Sequence, residues 1–89
     1  MARIVFTDNL QRLVACPPVE TDGGSLREVL DAAFRKHARA RTYVLDEQGA
    51  IRKHVAVFID GVLVQDRQTL TDPVPPTAQV YVMQALSGG

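Results

Sequence analysis

The sequence predicts an α+β domain, with one amphipathic helix laid across one face of a mixed sheet of four or five strands. Three observations carry this. One segment, from Leu26 to His37, has helical periodicity. Several shorter segments alternate apolar and polar residues with a period of two. The pieces between them are rich in Gly, Pro and Asp, which is turn and loop chemistry.

Arg3 to Thr7 alternates, with Ile4 and Phe6 on one face, and reads as a half-buried strand. Asp8-Asn9 is turn chemistry, and Leu10 to Ala15 is expected to return as the second strand of a hairpin. Cys16-Pro17-Pro18 should end that pairing, because proline cannot donate to a ladder. Glu20 to Gly24 then reads as a polar loop. Ser25-Leu26-Arg27-Glu28 is a capping box, in which the serine oxygen accepts a backbone N–H and Glu28 reaches back to the serine N–H. Behind it, Leu26, Val29, Leu30, Ala33, Phe34 and His37 form one apolar stripe. This helix is expected to fray near Ala38 to Ala40.

Tyr43 to Asp46 reads as a short strand or an extended loop, and Glu47-Gln48-Gly49 as a turn. Arg52 to Asp60 is the strongest strand, with Val55, Val57 and Ile59 on one face and His54, Ala56 and Phe58 on the other. Asp60-Gly61 is a tight hairpin turn, and Val62 to Val64 returns. Gln65 to Pro76 reads as a long surface loop, and Ala78 to Ala85 as the closing strand. If the first and last strands pair in the middle of the sheet, the fold is a β-grasp.

Composition bounds the function. Eighty-nine residues make one domain with a modest core, and 46% hydrophobic content excludes wholesale disorder. The domain is expected over residues 1–85, with a tail over 86–89. Ten basic residues against ten acidic ones leave no net charge, so neither nucleic acid nor membrane is an expected partner. A single Cys16 excludes an internal disulfide and multi-thiolate metal sites. The amino end turns polar at Thr7-Asp8-Asn9, too soon for a signal-peptide core, and no apolar run nears the roughly 18 residues of a membrane span. A cytoplasmic setting is expected.

Leu86-Ser87-Gly88-Gly89 follows the closing strand without a linker. A terminus of bare glycines offers an anionic carboxylate with no neighbouring side chain, able to enter a narrow channel. The alternative is an idle Gly/Ser tail, since chain ends are commonly without a role.

Three segments in order resemble ubiquitin-like sulfur carriers, the family of the molybdopterin synthase small subunit and the thiamine-biosynthesis sulfur carrier. They are Ser25-Leu26-Arg27-Glu28-Val29-Leu30, the stretch from Gly49 to Gly61, and the run from Val80 into Gly88-Gly89. The resemblance implies a β-grasp fold. It also implies that a ubiquitin-activating-type enzyme adenylates Gly89, that a sulfur donor such as a persulfide-bearing sulfurtransferase converts it to a thiocarboxylate, and that a synthase accepts the sulfur. No catalytic residue, metal or tightly bound cofactor is implied in this chain, because ATP belongs to the partner. Leu63 and Met83 match partner-contact positions, and Phe58, Tyr81 and Leu86 complete the expected contact set. The chain departs from the family at Pro75-Pro76-Thr77-Ala78, where an Asp-Gly-Asp-like turn is usual, and at Thr7, where an aromatic contact residue is sometimes found.

Rival readings remain. Activation at Gly89 equally serves a protein modifier that ends on a lysine, and an interaction module would leave the tail idle. Cys16 reads as a packing thiol or a persulfide site, and His37 as a helix-end residue. His54 has no second ligand at metal spacing. Arg35, Lys36, His37, Arg39 and Arg41 read as a solvated basic helix end or as a contact for nucleic acid or an acidic partner. Val5, Phe58, Leu63, Tyr81 and Met83 would form an apolar patch, either open for docking or covered by the loop from Gln65 to Pro76.

Overall fold

A computed structural model of the chain describes residues 1–7 and 17–84. Its elements are β1 (Ala2–Phe6), β2 (Val19–Thr21), β3 (Gly24–Ser25), α1 (Leu26–Lys36), α2 (Ala38–Val44), β4 (Val55–Ile59), β5 (Val62–Leu63), β6 (Pro73–Val74) and β7 (Gln79–Gln84). The main sheet has the order β2-β1-β7-β4-β5. Its centre is the parallel pairing of β1 with β7, in which Ile4 faces Val80 and Phe6 faces Val82. First and last strands therefore meet in mid-sheet, the pairing on which the β-grasp expectation turned.

The capping box forms as expected. Ser25 Oγ accepts from the Glu28 N–H at 3.2 Å, and the Ser25 N–H donates to Glu28 Oε1 at 3.1 Å. Leu26, Val29, Leu30, Ala33 and Phe34 are buried against the inner sheet face, where Ile4, Val57, Val80 and Val82 are fully covered. The Phe6 and Phe34 rings lie 6.4 Å apart between helix and sheet.

Two expectations are corrected. The partner of β1 is Val19–Thr21, in antiparallel register with Ala2 to Ile4, where a loop was expected. Val19 is buried and Glu20 exposed, the alternation of a half-buried strand, and Pro17 and Pro18 precede an edge strand, a place where a missing N–H is tolerated. The strand expected over Leu10 to Ala15, and Cys16 with it, lie outside the described residues.

The second correction concerns the stretch after α1, which neither frays nor turns extended at Tyr43. It breaks at His37 (φ −131°, ψ 69°) and resumes as α2 through Val44. Ala40 and Val44, four apart, drop into the core and hold this short helix by burial. Leu45 is extended and bridges Ile51.

The Asp60-Gly61 turn has both residues at positive φ (50° and 83°), as a two-residue hairpin requires, and joins β4 to β5. The segment after β5 is built rather than loose. The Asp66 carboxylate accepts from the backbone N–H groups of Gln68, Thr69 and Thr71 and from the Thr69 and Thr71 hydroxyls. Arg67 Nη2 donates to the carbonyls of Arg52 and Val55 at 2.5 and 2.7 Å, tying the segment to the start of β4. Leu70, at φ 58°, turns its side chain fully into the core. β6 pairs with β3 beside the start of α1. The segment thus closes the helix side of the domain.

Candidate docking face and carboxyl tail

The outer face of the sheet is left open. Val5 is the register partner of Tyr81, Tyr81 of Phe58, and Phe58 of Leu63. Because side chains opposite one another share a face, these four form one apolar row across β1, β7, β4 and β5. Met83 stands two residues further along β7, opposite Ala56. Leu63, Tyr81 and Met83 are exposed at 48%, 40% and 36%, and Phe58 and Val5 are half-buried. Val62, at 64% exposed, is the register partner of Ile59 and so lies on the other face from Leu63, outside the row. The loop from Gln65 to Pro76 does not cover the row.

β7 ends beside this row. Gln84 is the partner of Val55, and the Thr7 N–H donates to the Val82 carbonyl at 3.0 Å. The strand that leads to the tail is thus hydrogen-bonded on both sides, to β1 and β4. Leu86, Gly88 and Gly89 lie outside the described residues.

Electrostatics add little to this face. The Asp66 carboxyl is held well below the usual carboxylate range, first by the Thr69 hydroxyl and then by Thr71, but it serves the loop. Among the described residues no group of three or more His, Cys, Asp or Glu could hold a metal ion. His37 caps α1 and is half-buried, while His54 is exposed in the turn before β4. A shallow depression of about 530 Å³ between α1 and α2 is lined by Glu28, Asp31, Phe34, Arg35 and Arg41. It holds no nucleophile, and Glu28 is already engaged in the capping box. The Asp66 hub was missed in the sequence, where Asp66-x-x-Thr69-x-Thr71 is its signature. Among the described residues no helix is long and apolar enough to cross a membrane.

This architecture, with its parallel central pair and helices on one face, is the ubiquitin-like β-grasp fold. Solved structures share it over essentially the whole chain. A chain of the Amycolatopsis orientalis BexX/CysO complex superposes with a TM-score of 0.81 at 17% identity, covering 100% of both chains. Small archaeal modifier protein 1 of Haloferax volcanii gives 0.76 at 15% identity, over 96% of this chain and 97% of that one. Sulfolobus solfataricus Urm1 gives 0.65 at 13% identity, over 92% and 97%. No protein-family model and no curated protein matches the sequence.

Proposed function

We infer that this protein is a sulfur carrier whose Gly89 carboxylate is adenylated by a ubiquitin-activating-type enzyme and then converted to a thiocarboxylate. The observation that carries the reading is the course of β7, a central strand that runs beside an open apolar row and then into Leu-Ser-Gly-Gly. The fold resemblance supports it, as does the BexX/CysO complex, in which a chain of this fold engages another protein.

The chemistry asks little of this chain. A carboxylate is a poor acyl donor because its oxygen leaves badly. One carboxylate oxygen attacks the α-phosphorus of ATP, pyrophosphate leaves, and Gly89 becomes an acyl adenylate. Sulfide then attacks the carbonyl carbon, the C–O bond to AMP breaks, and a thiocarboxylate remains. The protein contributes the terminus, a Cβ-free approach through Gly88 and Gly89, and a docking surface formed by Phe58, Leu63, Tyr81, Met83 and Leu86. Nucleotide, metal and catalytic groups belong to the activating enzyme, so the chain is a substrate and carrier rather than an enzyme, in a reducing, cytoplasmic setting.

A second reading, conjugation through Gly89 to lysine amines, is favoured by the modifier name carried by the Haloferax protein. Intact mass after incubation with a cognate activating enzyme, ATP and sulfide separates the readings. The carrier gains the difference between sulfur and oxygen. A modifier instead adds its whole mass, less water, to an acceptor, and an unchanged mass defeats both.

A further inference from the structure

We propose that a notch beside the β4–β5 hairpin, on the helix side of the sheet, docks a segment of a partner protein that carries an apolar side chain between two basic ones. Ile59 and Val62 are register partners, so their side chains share the face that α1 covers further along the sheet. Ile59 packs against the core, but Val62 is 64% exposed, more than any other large hydrophobic side chain in the described strands. Both line a depression of about 300 Å³ together with Pro73 and Pro75. The prolines have a fixed φ and no N–H, so this wall is stiff, apolar and without a backbone donor at either position. Pro75 stands in the stretch at which the chain departs from the sulfur-carrier pattern.

The charge of the notch selects the occupant. Among the described residues that line it, the two charged groups are Asp60 and Asp72, both carboxylates. Asp72 is fixed by the Gln65 and Asp66 N–H groups, which donate to its two oxygens at 2.9 Å. Asp60 Oδ1 accepts from the Gln79 N–H at 2.9 Å, and its other oxygen has no partner among the described residues. An exposed apolar floor between two held carboxylates complements an apolar side chain flanked by arginine or lysine. The same carboxylates repel nucleic acid and anionic lipid, and two of them fall short of a metal cluster.

The notch is separate from the tail. Ile59 pairs with Val80 near the start of β7, whereas the tail follows the other end of that strand. The proposal therefore stands whether or not Gly89 is ever activated. Leu63 lines the notch and also belongs to the outer row, so Val62 is the residue that tells the two surfaces apart.

The test is amide-resolved NMR of the full chain titrated with the blocked peptide acetyl-Gly-Arg-Leu-Arg-Gly-amide. Binding should shift the amides of Ile59, Val62 and Asp72 and leave those of Val5 and Tyr81 in place. Val62→Ser, at an exposed position, should weaken binding about tenfold. Asp60→Asn keeps a side chain suited to the positive φ of 50° and an acceptor for Gln79, and should weaken it about threefold by loss of charge alone. Replacing the peptide's leucine by glycine should cost as much as Val62→Ser. Absence of shifts, shifts confined to the outer row, or indifference to Val62→Ser would overturn the proposal. So would spermidine or a glutamate-for-arginine peptide binding as tightly, since the first marks a general acidic surface and the second removes the charge selection. The same shifts appearing on concentrating the protein without peptide would assign the notch to a second copy of the chain instead.

Discussion

Gly89 carries the proposed chemistry with the least possible structure. An alanine there adds one methyl group next to the reacting carboxylate, five residues past the last described pairing of β7 at Gln84, so folding should be untouched. Adenylation should fall about 100-fold or more, the scale expected when a reacting group is held slightly out of line. Pyrophosphate release with the activating enzyme measures it, and an unimpaired Gly89→Ala would refute the role given to the tail. Asp66 makes a different demand. Its carboxyl is more acidic in the fold than in an unfolded chain, so the fold is stabilised where the unfolded group is ionised. That stabilisation is complete above the ordinary aspartate pKa of about 3.9 and is lost as pH falls below it. Asp66→Asn should lower the denaturant midpoint at pH 7 and flatten its decline under acid, while wild type shows little change between pH 6 and 8 from this group.

The helix start, the Asp60-Gly61 hairpin and the closing strand were legible because each has a local cause: a cap, a two-residue turn, a period of two. β2 and α2 were not, since what forms them is distant. Val19 joins the sheet only because β1 offers it an edge, and the Ala38–Val44 segment is helical because Ala40 and Val44 find the core, which short-range propensity does not reveal. The apolar row was readable as separate residues, but its continuity depended on the register of four strands. Gly23 shows the same dependence on distant parts. A Cβ there would meet the Val74 carbonyl oxygen at 2.5 Å and the Pro76 nitrogen at 2.8 Å, both backbone atoms that cannot swing aside. Gly23→Ala should destabilise the domain by about 1–3 kcal/mol through forced separation of β3 from β6. Ser25→Ala, which removes the cap but adds no bulk, should cost about 1 kcal/mol. Chemical denaturation of both variants tests the order.

At the level of the whole molecule, the sheet has one face sealed by helices and loop and one face left to solvent, with the strand that precedes the tail ending beside the open face. Burying such a row against a partner would contribute about 25 cal/mol for each Å² removed from water, which would give the proposed activating enzyme a way to hold the chain without gripping the tail. A charge in the middle of the row should therefore oppose docking and leave the chemical step alone. Leu63→Asp and Met83→Asp sit at exposed positions and should fold normally. Each should raise the KM for adenylation about tenfold to a hundredfold with kcat nearly unchanged, the range of a hot-spot truncation. Lys36→Glu, at the opposite end of the domain, should leave both constants as they are. A loss confined to kcat in the row variants would place these residues near the reacting centre instead. Equal loss in Lys36→Glu would mean that the enzyme grips the whole domain and not the open face.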